Sequence, residues 1–577
     1  MPSFAFAEPD ATIEPTPVAT LDALVERLND AKKSWVDTPV AERRALLHSL
    51  VERTQQVMDR WADAETRAKG LDPSGAEINE AYQNIFASMR GLEAMDNTLD
   101  ALARTGSPPR PAGGFSERPD GRLVAHTMPM TAWDRLLFPG ISGEVWLEPG
   151  VSRHNLSEHQ AIEYRRPSHP EGRVCLVLGA GNQSSIAFLD ALYALYAENC
   201  VALLKMNPVN EYMGPILRDI WQPFVDRGWF DVVYGGAEVG KHLTSHAGVA
   251  KIHITGSDAT HDAIIWGPSE GRAARKAAGE PVLDKEISSE LGNVTPILIP
   301  PAPWTPAEIT YQAHNVASML THNASFNCLA AKVLVTSADW PQRDAFLTAL
   351  KERLSTIGTR LAYYPGAKDR WTQFRDAHPH ASVLGEPEDG HLPWLLIPGV
   401  DPSDEEQIAF KREAWCGVLA ETALPGKTPE VWFPRAVRLC NDVLWGTLAC
   451  GILVHPSITK RASGKAALES ALDDLRYGSI ALNLNPSLGY GLQTLPWGAH
   501  PGHTLEDIGS GRGKVHNSLL FDPVQKGVVR GPWKFMGKPP WYPDHRTAHK
   551  LWPRLVRFQA SHSPFKLPGI FAAFLRG

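Results

Sequence analysis

The segment Gly179–Ser184, GAGNQS, is a glycine-rich loop that could cradle the phosphates of a dinucleotide. It follows a short apolar run and precedes a helical pattern, as the G-x-G-x-x-[GA] fingerprint does. The sixth position, however, is Ser184, and the next apolar run, CVALLK, ends in Lys205 where the fingerprint requires an acid. Two other interpretations therefore stay open: an ordinary strand-to-helix turn, or a helix start where Asn182 donates a hydrogen bond into a site.

The surrounding pattern predicts the elements that would position this loop. From about residue 172, short apolar runs alternate with helical stretches in the order βαβαβαβ, and a second alternating series begins near Val294. Such alternation is typical of mostly parallel sheets with helices on their faces. The sequence thus predicts an α/β fold with two tandem open parallel sheets. Residues 20–100 have helical spacing with a break before Pro39, where Asp37 or Thr38 could cap the second helix.

Length and composition are those of a folded protein with several domains. The chain has 577 residues, of which 43% are hydrophobic and 21% charged, and a net charge of −7. These values exclude a disordered chain and a polycation that seeks nucleic acid. The start of the chain is acidic and Pro-rich, unlike a signal peptide, and no apolar run is long enough to span a membrane. We therefore expect a cytoplasmic protein.

The cysteines give no sign of a metal site. The six of them lie far apart, at Cys175, Cys200, Cys328, Cys416, Cys440 and Cys450. No pair or Cys/His cluster has the spacing of a zinc site. We expect free thiols in a reducing compartment and no bound metal.

Several short motifs follow one another in a fixed order along the chain. They are GAGN with Asn182, LLK with Lys205, GGAEVGKHLTSH, ITGS, ELGN with Glu290, FNCLAAK with Cys328, and KREAWCGVL with Glu413. In this order and spacing the sequence resembles the aldehyde dehydrogenase superfamily from about residue 170 to residue 520. None of the motifs would suffice alone, and their common order carries the resemblance.

The resemblance implies covalent oxidation of an aldehyde to a carboxylic acid. Cys328 matches the nucleophile, whose thiolate gives a hemithioacetal and, after hydride transfer to nicotinamide, a thioester. Glu290 matches the carboxylate that activates the hydrolytic water. Asn182 matches the amide that stabilises the oxyanion together with the backbone N–H of Cys328. From residue type alone, Cys328 could instead be a buried structural thiol and Glu290 a solvated carboxylate at a strand end.

The resemblance also implies a site for NAD, with NADP as the alternative. Lys205 matches the lysine at the adenine ribose, and Ser257 precedes a helix start that would face the pyrophosphate. Glu413 matches the acid at the nicotinamide ribose, and Trp415 an aromatic beside that ring. The implied cofactor residues are Lys205, Gly236, Gly240, Thr255, Gly256, Ser257, Glu413 and Trp415. Near Pro208 the usual ribose-binding acid is missing, which leaves NADP open.

Three departures from the family pattern bear on activity. Phe326 stands where Gln is usual, so we expect it to reshape the substrate tunnel beside Cys328. His261 stands where Gly is common and would alter the pyrophosphate site, and Cys416 belongs to a changed turn. The last two support an alternative, a non-catalytic family member that acts as a binding protein. A second alternative, a coenzyme A-linked acylating dehydrogenase or acyl reductase, would not need the water-activating Glu290.

The resemblance divides the chain into six segments. We expect an N-terminal helical part of the cofactor domain (1–139), an oligomerisation arm (140–170), an NAD(P)-binding domain (171–289), a catalytic domain (290–490), a return segment with an oligomerisation strand (491–523) and a basic C-terminal extension (524–577). Family members usually pair such strands between subunits, so a homodimer or homotetramer is expected. The partner strand would be KVHNSLLFDP, at about 514–522.

The C-terminal end is strongly basic. After Pro523 there are ten Lys or Arg residues and the single acid Asp544, interleaved with Trp533, Trp541 and Trp552. Contact with an anionic membrane surface is one interpretation. Packing along the acidic remainder of its own or a neighbouring subunit is the favoured one. Seven prolines after residue 530 disfavour a long amphipathic helix. Together with Phe326 and Trp415, these aromatics hint at an apolar or aromatic aldehyde, although aromatic residues are more often core.

Overall fold

A computed structural model describes residues 13–386 and 388–577. The acidic start of the chain that bears on a signal peptide therefore lies mostly outside the described residues. Two large sheets, each covered by helices, organise the described chain. Within that part, no helix combines the length and the apolar character that crossing a membrane requires.

The first sheet has six strands and is parallel except at one edge. Their order across the sheet is Gly511–Arg512, Glu286–Glu290, Lys251–Thr255, Val174–Leu178, Val201–Lys205 and Phe230–Val233. The edge strand Gly511–Arg512 pairs antiparallel, and the other pairs are parallel. The strand Val174–Leu178 and the first four residues of Val201–Lys205 are continuous apolar runs because both of their faces are covered.

Helices cover both faces of the first sheet. Those between its strands are Ser184–Tyr196, Gly214–Ile220, Ala237–Ser245 and Asp258–Trp266. Three N-terminal helices, Val18–Val36, Val40–Ala68 and Asn79–Thr105, pack against this layer. The predicted break before Pro39 is present. Neither predicted cap is used, because no side chain caps Val40–Ala68 and the Thr38 hydroxyl donates to the Ser34 carbonyl at 2.7 Å.

The second sheet has eleven strands and a parallel centre. Their order is Phe115–Glu117, Leu123–Met128, Ser142–Leu147, Val524–Arg530, Ser479–Leu482, Ala449–Ile452, Pro296–Leu298, Val333–Ser337, Val418–Leu424, Trp394–Ile397 and Ser382–Leu384. Its main helices are Pro306–Thr321, Arg343–Ser355, Ala367–Ala377, Pro429–Arg438 and Ala462–Asp474. The predicted α/β fold with two mostly parallel sheets is confirmed.

The predicted oligomerisation strand at 514–522 is wrong. That segment is irregular, and its pairing is limited to the isolated bridges Trp497–Val515 and Gln160–Phe521. The strand lies just beyond it, at Val524–Arg530. It pairs antiparallel with Ser142–Leu147 of the expected arm and parallel with Ser479–Leu482. The strand Ser142–Leu147 of the expected arm thus pairs within its own chain.

The C-terminal extension begins after Arg530 rather than at residue 524, because Val524–Arg530 is part of the sheet. It contains the helices Ala548–Gln559 and Leu567–Phe574. The first helix is amphipathic, and it forms although Pro553 lies inside it. Its apolar face is buried against Asn79–Thr105, and the free energy of that burial outweighs the backbone hydrogen bond that Pro553 removes. The extension therefore packs on its own chain, as the favoured interpretation of its charge predicted.

Candidate functional site

Two cavities meet at Cys328. The first, of about 1050 Å³, lies at the carboxyl ends of the first sheet's strands. The second, of about 700 Å³, lies between the helix Asn79–Thr105 and the C-terminal extension. Asn182, Ile186, Glu290 and Cys328 line both. A nucleophile at such a junction can be approached by two different molecules from two sides.

The backbone before Cys328 is held in an uncommon conformation. Asn323, Ala324 and Ser325 have φ values of +54°, +51° and +70°, in the left-handed region that side-chain-bearing residues rarely adopt. The buried Lys332 ammonium donates to the Ser325 hydroxyl at 2.8 Å. Such strained turns persist only where surrounding contacts fix them. The turn sets the position of the thiol relative to both cavities.

Asn182 is fixed to the same turn. Its side-chain nitrogen donates to the Phe326 carbonyl at 3.0 Å, and its backbone carbonyl accepts from the Asn323 amide at 3.1 Å and the Tyr363 hydroxyl at 3.2 Å. An amide nitrogen carries two hydrogens, and the contact with Phe326 uses one of them. Because the side chain lines both cavities, it can offer a donor to a substrate oxygen at Cys328.

Glu290 is a buried carboxylate at the end of its strand. Burial raises the pKa of Glu290 to about 7, and the nearby Cys328 thiol and Trp497 indole oppose that rise. Burial, together with the charges of Glu290 and Glu413, raises the pKa of the Cys328 thiol well above its usual value. A base with a pKa near neutrality is suited to accept a proton from a thiol or a water at physiological pH.

Glu413 forms a second buried acid at the first cavity. Burial raises its pKa, and the positive charge of Lys332 and the backbone N–H of Asn293 oppose the rise. Gly292 makes room for it, because a Cβ at that position would lie 2.1 Å from Glu413 Oε2. Sequence reasoning missed Gly292 and Lys332, although both lie inside motifs it used, ELGN and FNCLAAK.

The structure brings all eleven predicted site residues to one place. The first cavity is lined by Asn182, Lys205, Gly236, Gly240, Thr255, Gly256, Ser257, Glu290, Cys328, Glu413 and Trp415. Gly236 is the residue before the helix Ala237–Ser245, and Ser257 caps Asp258–Trp266 by accepting from the Thr260 N–H at 3.1 Å. The Thr255 hydroxyl donates to Asp190 at 2.9 Å, so it helps to hold the wall of the cavity together.

Asp258, which sequence reasoning missed, lies behind the wall of the first cavity, between the lining residues Ser257 and Ala259. It is the first residue of the helix whose N-terminus opens towards the cavity, and it is buried. Its carboxylate accepts from the Ala259 N–H at 2.9 Å. It therefore takes up one of the donors that a helix start offers to an anion. The signal was its place directly after the ITGS motif.

The three departures lie behind the cavity walls. The Phe326 ring is buried and packs on Tyr363 and Tyr364 with centroids 4.8 and 5.6 Å away, and it lines neither cavity. The expectation that it reshapes the tunnel beside Cys328 is wrong, because the strained turn directs the ring into the core. His261 and Cys416 are also buried and line neither cavity.

Potential metal ligands come together away from the cavities. Within residues 13–386 and 388–577, the one group close enough to share an ion is Asp22, His242 and His246. His242 Nε2 lies 2.6 Å from Asp22 Oδ1, a hydrogen-bond distance, so the group is satisfied without a metal. None of the three lines either cavity.

Comparisons with known proteins point to one family. Residues 156–362 match the sequence model of the aldehyde dehydrogenase family. A Staphylococcus aureus protein (strain bovine RF122 / ET3-1), named a candidate aldehyde dehydrogenase, is 30% identical over 342 residues, which cover 59% of this chain. The match covers 56% of that relative, so the chain spans about half the length of the curated relatives it matches.

Solved structures share the fold over most of the chain. An NAD-dependent aldehyde dehydrogenase from Sinorhizobium meliloti superposes with a TM-score of 0.60 at 17% identity, covering 91% of this chain and 88% of the other. The NADP-dependent glyceraldehyde-3-phosphate dehydrogenase from Bacillus halodurans C-125, complexed with NADP, gives 0.56 at 16% identity, covering 90% and 92%. At this level of identity the likeness shows the fold alone.

Proposed function

We propose that this chain, which belongs to the aldehyde dehydrogenase superfamily, oxidises an aldehyde to a carboxylic acid with NAD or NADP as the hydride acceptor. The observation that carries the proposal is the position of Cys328, with Glu290 and Asn182, where the two cavities meet. Oxidation of an aldehyde by a dinucleotide requires both molecules at one reacting centre. The junction offers that arrangement.

The first cavity fits a dinucleotide. The helix start at Ser257 would face the pyrophosphate, and Lys205 and Glu413 would contact the two riboses. Glycines at 236, 240 and 256 leave its wall without side chains where a cofactor could lie close. NAD(P), when bound, would supply the acceptor for the hydride that the aldehyde carbon loses.

The residues at the junction suit the covalent steps. The Cys328 sulfur attacks the aldehyde carbon once its proton has passed to a base, and Glu290 is the neighbouring acceptor. Asn182 and the Cys328 backbone N–H would donate to the oxygen as it gains negative charge. After oxidation the acyl group is held as a thioester on Cys328. Once Glu290 has released the thiol proton to solvent, it takes a proton from a water that attacks the thioester. The acid leaves as the C–S bond breaks, and the Cys328 thiolate regains its proton from Glu290.

An aldehyde panel tests the proposal directly. Formation of NADH and NADPH would be followed by absorbance, and products identified by mass spectrometry with and without coenzyme A. We expect a carboxylic acid without coenzyme A. A product formed only with coenzyme A would favour the acylating alternative. Absence of turnover across the panel, with no binding of either cofactor, would favour the non-catalytic one.

The charge of Asp258 leads to a prediction about cofactor affinity. We expect Asp258→Asn to tighten NAD and NADP binding about fivefold, since removing one negative charge near a bound pyrophosphate is worth about 1 kcal/mol. Titration of tryptophan fluorescence would measure both dissociation constants. Asp262→Asn is the matched control, because Asp262 lies one turn further along the same helix and pairs with Lys276 at 2.8 Å. Unchanged or weaker binding in Asp258→Asn would contradict the pyrophosphate placement.

The domain roles follow the same proposal. The first sheet with the N-terminal helices would bind the cofactor, and the second sheet carries Cys328 and the expected arm. A homodimer or homotetramer stays a prediction, as does the cytoplasmic location. The strands Ser142–Leu147 and Val524–Arg530 pair with each other within the chain, so the edges that they share are not available to a second subunit. Light scattering after size-exclusion chromatography would test the oligomeric state.

A further inference from the structure

The second cavity is lined mainly by apolar side chains. It runs from Cys328 between the helix Asn79–Thr105 and the C-terminal extension. Its apolar lining includes Phe86, Leu137, Phe138, Leu488, Leu492 and Leu551. A volume of about 700 Å³ is within the range of pockets that enclose a small-molecule ligand.

The C-terminal extension supplies a large part of this wall. Trp541, Trp552, Leu555, Ile570 and Phe571 line the cavity. These residues come from both helices of the extension and from the segment before them. The wall is therefore made by a part of the chain that lies outside the two sheets.

The extension is anchored at both ends. Near its start, the Trp533 indole donates to Glu308 at 2.8 Å and its ring packs on Trp304 with centroids 5.0 Å apart. On the helix Ala548–Gln559, Trp552 packs on Phe86 at 5.4 Å. Beyond that helix, His562 lies 3.0 Å from Glu93. A wall fixed in this way is part of the folded protein, and its shape can select a ligand.

Charged and polar groups along the cavity are already engaged. Glu80 forms two hydrogen bonds of 3.0 Å with Arg360. Asn84 donates to Glu65 and Gln183 and accepts from Ser185. The cation of the lining is Lys534, which is exposed and lies 5.5 Å from the Tyr311 ring. A phosphate or second carboxylate on the substrate would thus find no buried cation among the described lining residues to pair with.

The mouth of the cavity is apolar as well. Met536, Leu575 and Phe571 line the cavity and are 92%, 79% and 37% exposed. These three side chains form an exposed apolar surface at the entrance, where Lys534 is the exposed cation of the lining. The lining and the mouth therefore favour the same kind of ligand.

We propose that the second cavity binds the apolar chain of an alkyl aldehyde, and that the C-terminal extension sets this substrate class by forming the wall. The inference rests on the proposed function, since the aldehyde group would lie at Cys328 and the chain would extend towards Phe571. Each methylene buried in such a cavity raises kcat/KM by about fourfold until the cavity is filled. Efficiency therefore rises from propanal to decanal, and aldehydes that carry a phosphate or carboxylate are poor substrates.

Two exposed phenylalanines of the extension give a matched test. Phe571→Asp places a charge in the wall, whereas Phe565, which is 93% exposed and lines neither cavity, gives the control Phe565→Asp. We expect Phe571→Asp to lower the ratio of kcat/KM for decanal to kcat/KM for propanal at least about tenfold, because only the longer chain reaches the charge. Phe565→Asp should leave both unchanged. An unchanged ratio of decanal to propanal in Phe571→Asp would overturn the role of the extension.

Direct binding separates this inference from the proposed function. Calorimetric titration with decan-1-ol needs no turnover. If the wild type binds decan-1-ol and Phe571→Asp binds it more weakly, the cavity assignment is supported even if no aldehyde is oxidised. In that case only the proposed function would have failed. Absence of decan-1-ol binding, or a preference for charged over alkyl aldehydes, would overturn the inference.

Discussion

Replacing Cys328 with alanine is expected to abolish aldehyde oxidation, with a loss in kcat/KM of at least about 10⁴-fold, because the covalent route has no other nucleophile. The remaining five cysteines are buried, and none of them lines either cavity. No neighbouring thiol can take over the attack. Cofactor binding should be retained, since the contacts proposed for the dinucleotide come from other residues of the first cavity.

Alkylation and turnover together make this test decisive. At an alkaline pH, which the raised pKa of the Cys328 thiol requires, iodoacetamide should modify one thiol in the native wild type and none in Cys328→Ala, because Cys328 alone among the six is partly exposed. Cys440→Ala, at a buried thiol just after the helix Pro429–Arg438, is the control and should keep both turnover and single labelling. Residual NADH formation in Cys328→Ala, at more than about one part in 10³ of the wild-type rate, would contradict the nucleophile assignment.

The ordered motifs predicted which residues meet, because four of them, GAGN, LLK, ITGS and ELGN, lie where a parallel strand of the first sheet ends. Such ends gather at one edge of a sheet, so Lys205, Ser257 and Glu290 come together although they are far apart in sequence. The resemblance predicted the order of these residues, and the alternation of strands and helices predicted the sheet that holds them. The site was predictable to that extent from local signals.

The remainder depends on contacts that no local pattern encodes. KVHNSLLFDP and the following VQKGVVR are both apolar enough for a strand, and only pairing with Ser142–Leu147 and Ser479–Leu482 selects the second. Phe326 turns into the core because three preceding residues adopt positive φ. The helix Ala548–Gln559 forms despite Pro553 because a helix more than 400 residues earlier covers its apolar face.

Glu290→Gln is expected to stop the reaction after its first half. Steady-state turnover should fall by about 10²–10⁴-fold, the contribution typical of a general base, while the acyl group stays on Cys328. Rapid mixing should then show a burst of about one NADH per site followed by a slow phase, as expected when an acyl-enzyme accumulates. Mass spectrometry of the intact protein would detect the thioester. Full steady-state turnover would contradict the role of Glu290 in hydrolysis.

The pH dependence of thioester hydrolysis in the wild type and in Glu290→Gln tests the role of Glu290 independently. Burial raises the pKa of Glu290 to about 7, so the carboxylate that can accept a proton is lost as the pH falls through 7. In the wild type, the rate of thioester hydrolysis should therefore decline below that pH. In Glu290→Gln the same rate should stay flat across that range, because the amide does not titrate. A wild-type profile without this limb would show that another group is the base.

At pH 8, Glu290→Gln should be more stable than the wild type although it is less active. The folded-state pKa of Glu290, about 7, lies above the ordinary value of 4.5, so its contribution to stability is full below pH 4.5 and is lost as the pH rises through 7. A shift of this size corresponds to up to about 3 kcal/mol, so Glu290→Gln should unfold at a higher temperature than the wild type at pH 8 but not at pH 4. Glu286→Gln, on the same strand, is the contrasting control. The cations of Lys251 and Arg173 lower the pKa of Glu286, so its loss should destabilise the protein at pH 8. A carboxylate that lowers stability at the pH of activity serves the chemistry and not the fold. The two thermal shifts distinguish these two roles.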